Sequence, residues 1–158
     1  MNYDEMQDAS FYKSNRMSAV IEDMISDIDT FEQFEKRFSE EMLNEDVHIG
    51  DYLYKLLDKY GYTPNKAALL IGRSHSYLRN IINNNEKNPS RDVLLSLCVL
   101  IGATVDETQH LLKYAGKAPL YVRRKRDVII WFGLMKHKSL VDVNLELDSH
   151  GMPLLTKE

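Results

Sequence analysis

One cysteine, four prolines and seven glycines in 158 residues exclude a disulfide framework and a proline-rich linker. A lone thiol cannot form an intramolecular disulfide, and Cys98, set in VLLSLCVLIG, reads as a small core residue. No run of eighteen apolar residues is present to make a transmembrane helix, and the first thirty residues are polar and acidic, unlike a secretory leader. A cytoplasmic location is therefore the expectation. His48, His75, His110, His137 and His150 lack metal-ligand spacing, and there is no glycine-rich phosphate loop. Neither a metal, nor a cofactor, nor an enzymatic activity is expected. No stretch alternates with period two for long enough to suggest a sheet, and no internal repeat is found. Prolines and glycines fall at segment edges, which favours an all-α protein.

The formal charge of −4 hides an asymmetry. Residues 1–46 hold thirteen acidic and four basic side chains, whereas residues 47–158 hold eleven acidic and sixteen basic. An acidic N-terminal extension (1–46) thus precedes a mildly basic body, and such a division implies different partners for the two parts.

Hydrophobic periodicity and capping residues outline the helices. Met17, Val20, Ile21, Met24, Ile25 and Ile28 follow the spacing of one amphipathic helix, and Phe31, Phe34, Phe38 and Met42 that of a second. Thr30 with Gln33 can cap the second. This acidic helical hairpin could pack on the body, serve as a dimerisation arm, or dock a protein partner. From Ile49 the stripe Tyr52, Leu53, Leu56, Leu57 and Tyr60 runs to a stop at Gly61, and Thr63-Pro64 supplies an N-cap followed by proline at the first helical position. The stretch AALLIGRSHSYLRNI (67–81) then poses a problem, because Gly72 inside one helix would cost it about 1 kcal/mol relative to alanine. A turn between two short helices explains it better, with Ser74 capping a helix Ser74–Asn83. Ser90 opens the next helix, Gly102 stops it, and Thr104 with Glu107 forms a capping box for another, closed by Gly116. Two further helices, Arg123 to Met135 and Ser139 to about Asp148, make a C-terminal extension (118–158).

The five short capped helices of residues 47–117 resemble the DNA-binding domain of the lambda-repressor-like, or XRE, helix-turn-helix family. The resemblance rests on Ala68, Gly72, Leu78 and Ile81, an alanine with a glycine four later and aliphatics six and nine after that, and on the continuation NPSRDVLLSLCVLIGATVDE. It implies double-stranded DNA as the partner, a transcriptional regulator of repressor type, and a homodimer on paired half-sites. Three positions depart from the pattern. Pro64 stands where a phosphate-holding glutamine is usual, Arg73 where an aliphatic residue follows the turn glycine, and NNNEKNPS is a longer loop without its glycine. These bear on how DNA is gripped. The stretch ETQHLLKYAGKAPLYVRRKRDVIIWF is similar to the tail of a subgroup of small bacterial helix-turn-helix proteins.

In such domains the second helix of the unit lies in the major groove. The resemblance therefore places Arg73, Ser74, His75, Ser76, Tyr77, Arg79 and Asn80 at or near DNA, with Asn83, Asn84 and Lys87 in the loop along the phosphates. Arginine and asparagine suit bidentate contact with guanine and adenine, each worth about 1–3 kcal/mol of discrimination. Arg123, Arg124, Lys125 and Arg126 form the densest positive cluster, suited to a phosphate or to an acidic protein surface. The alternative that stays open is a protein–protein interaction module that keeps the fold without binding DNA.

Overall fold

The computed structural model describes residues 18–40, 42, 48–83 and 89–156. Among the described residues there are nine helices and no strand. They are α1 (18–25), α2 (Phe31–Phe38), α3 (Ile49–Lys59), α4 (Pro64–Leu70), α5 (Tyr77–Ile82), α6 (Arg91–Ile101), α7 (Val105–Tyr114), α8 (Lys125–Met135) and α9 (Leu140–Ser149). No described helix is long and apolar enough to cross a membrane. The described residues fall into two compact units, one on either side of position 46.

In the N-terminal unit Thr30 caps α2 by accepting from the Gln33 N–H at 3.2 Å, and the Gln33 side chain accepts in turn from Asp29 N–H. The Arg37 guanidinium reaches the Met24 sulfur at 4.0 Å, tying α2 to α1. The two apolar stripes are less buried than their periodicity predicts. Phe38 is buried, but Val20, Ile25, Phe31 and Met42 are exposed, Phe31 by 68%. Met17 lies outside the described residues. Periodicity reports an amphipathic helix, and it carries no information about what covers the apolar side.

The other unit is assembled from well-capped helices around α6. Thr63, Ser90, Thr104 and Ser139 each accept a hydrogen bond from a first-turn N–H of the helix that follows, and Thr104 with Glu107 completes a full capping box. His48 caps α3 through Nδ1, accepting from Gly50 N–H at 3.1 Å. Eight of the eleven α6 residues are buried, which is why its run of aliphatics shows little amphipathic character; it packs on α4, α7, α8 and α9. Cys98 sits within it, fully enclosed, and burial pushes its thiol up to about 12 despite the Thr108 hydroxyl beside it. Such a thiol stays protonated and unreactive.

Polar side chains fasten α8 and the residues after α9 to this body. Arg91 and Asp92 open α6, and Arg126 and Asp127 stand in the first turn of α8. The two dipeptides pair crosswise. Arg91 grips Asp127 through both guanidinium nitrogens at 3.0 and 3.1 Å, while Arg126 grips Asp92 at 2.8 and 3.2 Å. Arg126 also donates to the carbonyls of Pro153 and Leu154, holding residues 153–156 against α6, where Leu155 is buried. Bidentate pairing gives geometry as well as attraction. Asp127, only 3% exposed, depends on it, since an unpaired buried carboxylate is costly.

Candidate nucleic-acid interface

The connection between α4 and α5 is built by the backbone. Ile71 ends α4, Gly72 follows at φ +80°, and two hydrogen bonds close the turn. Gly72 N–H donates to Leu69 O at 3.0 Å and Arg73 N–H to Ala68 O at 2.9 Å, the pair that satisfies the orphan carbonyls of a helix end. Ala68 is completely buried, as are Leu78 and Ile81 on α5. α5 packs on both α3 and α4, and the approach to α3 is close: a methyl group on Gly50 would lie 2.6 Å from Ile82 O.

The helix that follows is shorter than the sequence suggests. A helix Ser74–Asn83 capped by Ser74 is expected, whereas α5 spans only Tyr77–Ile82. Ser74 instead offers its carbonyl to Tyr77 N–H at 3.0 Å, so that Ser74, His75 and Ser76 form a turn. Ser76 occupies the N-cap in a helical conformation and makes no side-chain capping bond. Two serines flank His75, and local sequence does not distinguish which one precedes the helix.

Burying Leu78 and Ile81 turns the other face of α5 outward. Arg79, Asn80 and Asn83 are exposed, as are Arg73, Ser74 and His75, while Ser76 and Tyr77 are half-buried. The Arg73 guanidinium lies 5.1 Å from the Tyr77 ring centroid, a cation–π contact across the start of the helix. Asn84 and Lys87 lie outside the described residues, so the loop expected along the phosphates is described only at Asn83, Pro89 and Ser90.

Beside the turn is a cleft of about 460 Å³ bounded by Gly72, Arg73, Ser90, Asp92 and Thr156, among others. It places Arg73 across from the start of α6, where Asp92 is held by Arg126. The four basic residues of 123–126 do not act alike. Arg126 is spent on Asp92 and on two backbone carbonyls, whereas Arg123, Arg124 and Lys125 are exposed. Sequence reasoning missed the residues that shape this region, Gln109 and Asp127. Gln109 is fully buried and holds Leu120 by both N–H and C=O; the one visible signal for Asp127 was the repeated Arg-Asp at two helix starts. Among the described residues no group of three or more His, Cys, Asp or Glu is placed to hold a metal ion. No family model, no curated protein and no solved structure matches the chain.

Proposed function

We propose that the chain is a sequence-specific double-stranded DNA-binding protein with a lambda-repressor-like helix-turn-helix domain, acting as a transcriptional repressor. The observation that carries this reading is the division of α5 into two faces. Leu78 and Ile81 are wholly buried, and Arg79, Asn80 and Asn83 stand on the outside with side chains suited to base edges and phosphates. A helix of this kind fits the major groove. Arg79 would reach guanine and Asn80 adenine, while Ser74, His75 and Ser76, in a turn, contact the sugar–phosphate backbone at the groove's edge. Paired half-sites call for a homodimer, and the exposed Val20, Ile25 and Phe31 of the acidic extension supply an apolar surface for a dimer arm.

Selection from a random duplex library, followed by anisotropy titrations on the selected site, tests the reading. His75→Ala with Arg79→Ala should reduce the preference for the selected site over random duplex by tenfold or more and leave the melting temperature nearly unchanged. If the double variant unfolds, those residues belong to the core and the groove assignment is wrong. The rival reading, an interaction module without DNA binding, draws on Pro64, which has no N–H to offer a phosphate, and on the acidic extension. Absence of any duplex binding at about 50 mM salt, where non-specific contacts are strongest, would favour that rival.

A further inference from the structure

We infer that the segment Tyr121–Lys125 is a second phosphate-binding element, gripping the DNA backbone beside the site read by α5. This rests on the DNA-binding reading above and extends it to a part of the chain outside the two-helix unit. The first support is the contrast between the segment's backbone and its side chains. The backbone leading into the segment is fastened at successive residues: Arg91 holds the carbonyls of Ala118 and Pro119, Gln109 holds both polar groups of Leu120, and at the segment's first residue Asp127 accepts from Tyr121 N–H at 3.0 Å. Arg124 N–H closes back on Tyr121 O at 3.0 Å. By contrast, Arg123, Arg124 and Lys125 project into solvent, and among the described residues none of the three makes an ion pair or side-chain hydrogen bond. Tyr121 and Val122 are about half exposed beside them, at 49% and 50%.

The second support is position. The three cations precede Arg126, whose guanidinium lies on Asp92, and Asp92 shares its cleft with Arg73 at the start of the α5 unit. The start of α8, which carries the three cations, is thus tied through the Arg126–Asp92 pair to the start of α6, which borders the same cleft as Arg73. The third support is electrostatic. The cations sit at the positive end of the α8 dipole, and Arg124 at the N-cap makes no capping bond. Within the fold they oppose the helix, and a line of phosphates is the counter-charge that relieves this. Because the backbone entering the segment is already held, the ordering cost of binding falls mainly on the three side chains.

The test is the salt dependence of binding to a duplex of fixed length, using the full chain and the variant Arg123→Gln, Arg124→Gln, Lys125→Gln. Each lost phosphate contact lowers the slope of log K against log salt by about 0.9, so the triple variant should lose roughly 2–3 units of slope. Its preference for the selected site over random duplex should stay the same, and its melting temperature should hold or rise. Arg126→Gln serves as the comparator and should lower the melting temperature. An unchanged slope in the triple variant, with the parent still binding duplex, overturns the inference and leaves the DNA-binding reading standing. Failure of the parent to bind any duplex defeats that reading itself. An unchanged slope together with lost affinity for polyglutamate would assign the patch to an acidic polypeptide instead.

Discussion

Two glycines in the α3–α5 region are required for opposite reasons, and substituting them separates backbone strain from steric contact. Gly72 stands at φ +80°, and a methyl group added there meets no atom within 4 Å. Space is therefore not limiting, and the whole cost of Gly72→Ala is the left-handed backbone, about 1–2 kcal/mol. Reduced freedom of the unfolded chain returns about 0.4–1 kcal/mol, leaving a net loss near 1 kcal/mol. Gly72→Val should lose more, about 2 kcal/mol, and Gly72→Asn less than alanine, because asparagine tolerates positive φ. Gly50 has ordinary helical geometry, where alanine would gain about 1 kcal/mol of propensity. Its methyl group, however, would lie 2.6 Å from Ile82 O and 2.9 Å from Ile82 Cα, so the backbone of α5 must move. Overpacking of this kind costs about 1–3 kcal/mol, and Gly50→Ala should come out destabilising despite the better helix former. Urea unfolding followed by circular dichroism at constant m measures all four variants. If Gly72→Ala matches the parent, or asparagine does no better than alanine, the left-handed turn is wrong. A stabilised Gly50→Ala would refute the close approach of α3 to α5.

Asp127→Ala should destabilise by about 3 kcal/mol, because it leaves the half-buried Arg91 without a carboxylate and the Tyr121 N–H without an acceptor, while Asp92→Ala, on a side chain 42% exposed, should cost under about 1 kcal/mol; equal losses in urea unfolding would contradict the burial contrast. Burial raises the Glu107 carboxyl, but the hydrogen bond from Lys59 and those involving Thr104 and Tyr60 outweigh it and hold it below the usual carboxylate range. Its stabilisation is present above the unfolded value near 4.3 and lost as acid titrates the folded form, so Glu107→Gln should flatten the acid limb of a stability–pH curve. Asp106 is raised, by burial first and by Glu107, against the pull of His110, so its charge weakens the fold once pH passes the unfolded value near 3.9; Asp106→Asn should therefore raise stability at neutral pH. Deleting residues 1–46 removes thirteen acidic and four basic side chains and should strengthen binding to random duplex and steepen its salt dependence; equal slopes and unchanged mass in sedimentation would mean that this segment regulates nothing.

What the sequence made legible was the part of the structure decided locally. Thr63-Pro64, Ser90, Thr104 with Glu107 and Ser139 are helix starts because each hydroxyl can reach an N–H two or three residues ahead. Gly61, Gly72, Gly102, Gly116 and Gly151 are stops, all at positive φ. α8 also ends this way, but with His137 at φ +52°, which no sequence rule would single out. Tertiary facts were not legible. That Arg126 turns inward to Asp92 while Arg124 and Lys125 stay outside depends on a pairing across 34 positions. The outward face of α5 could be named from Leu78 and Ile81, yet its start was misplaced because the turn is closed by Ser74 O and not by a side chain.

The crosswise pairing of Arg91-Asp92 with Arg126-Asp127 bears on how such a chain is made. A ribosome delivers α3 to α7 first, and at that moment Gln109 has no Leu120 to hold and Asp92 no Arg126. The start of α6 beside the α5 unit is completed only when residues 120–127 emerge, and its outer wall only with Leu155. A nascent chain halted near residue 117 would carry a Gln109 amide without its Leu120 partner and half a cleft. Helix α5, packed on α3 and α4, would already be in place, while the cleft beside its turn would wait for the last residues to dock.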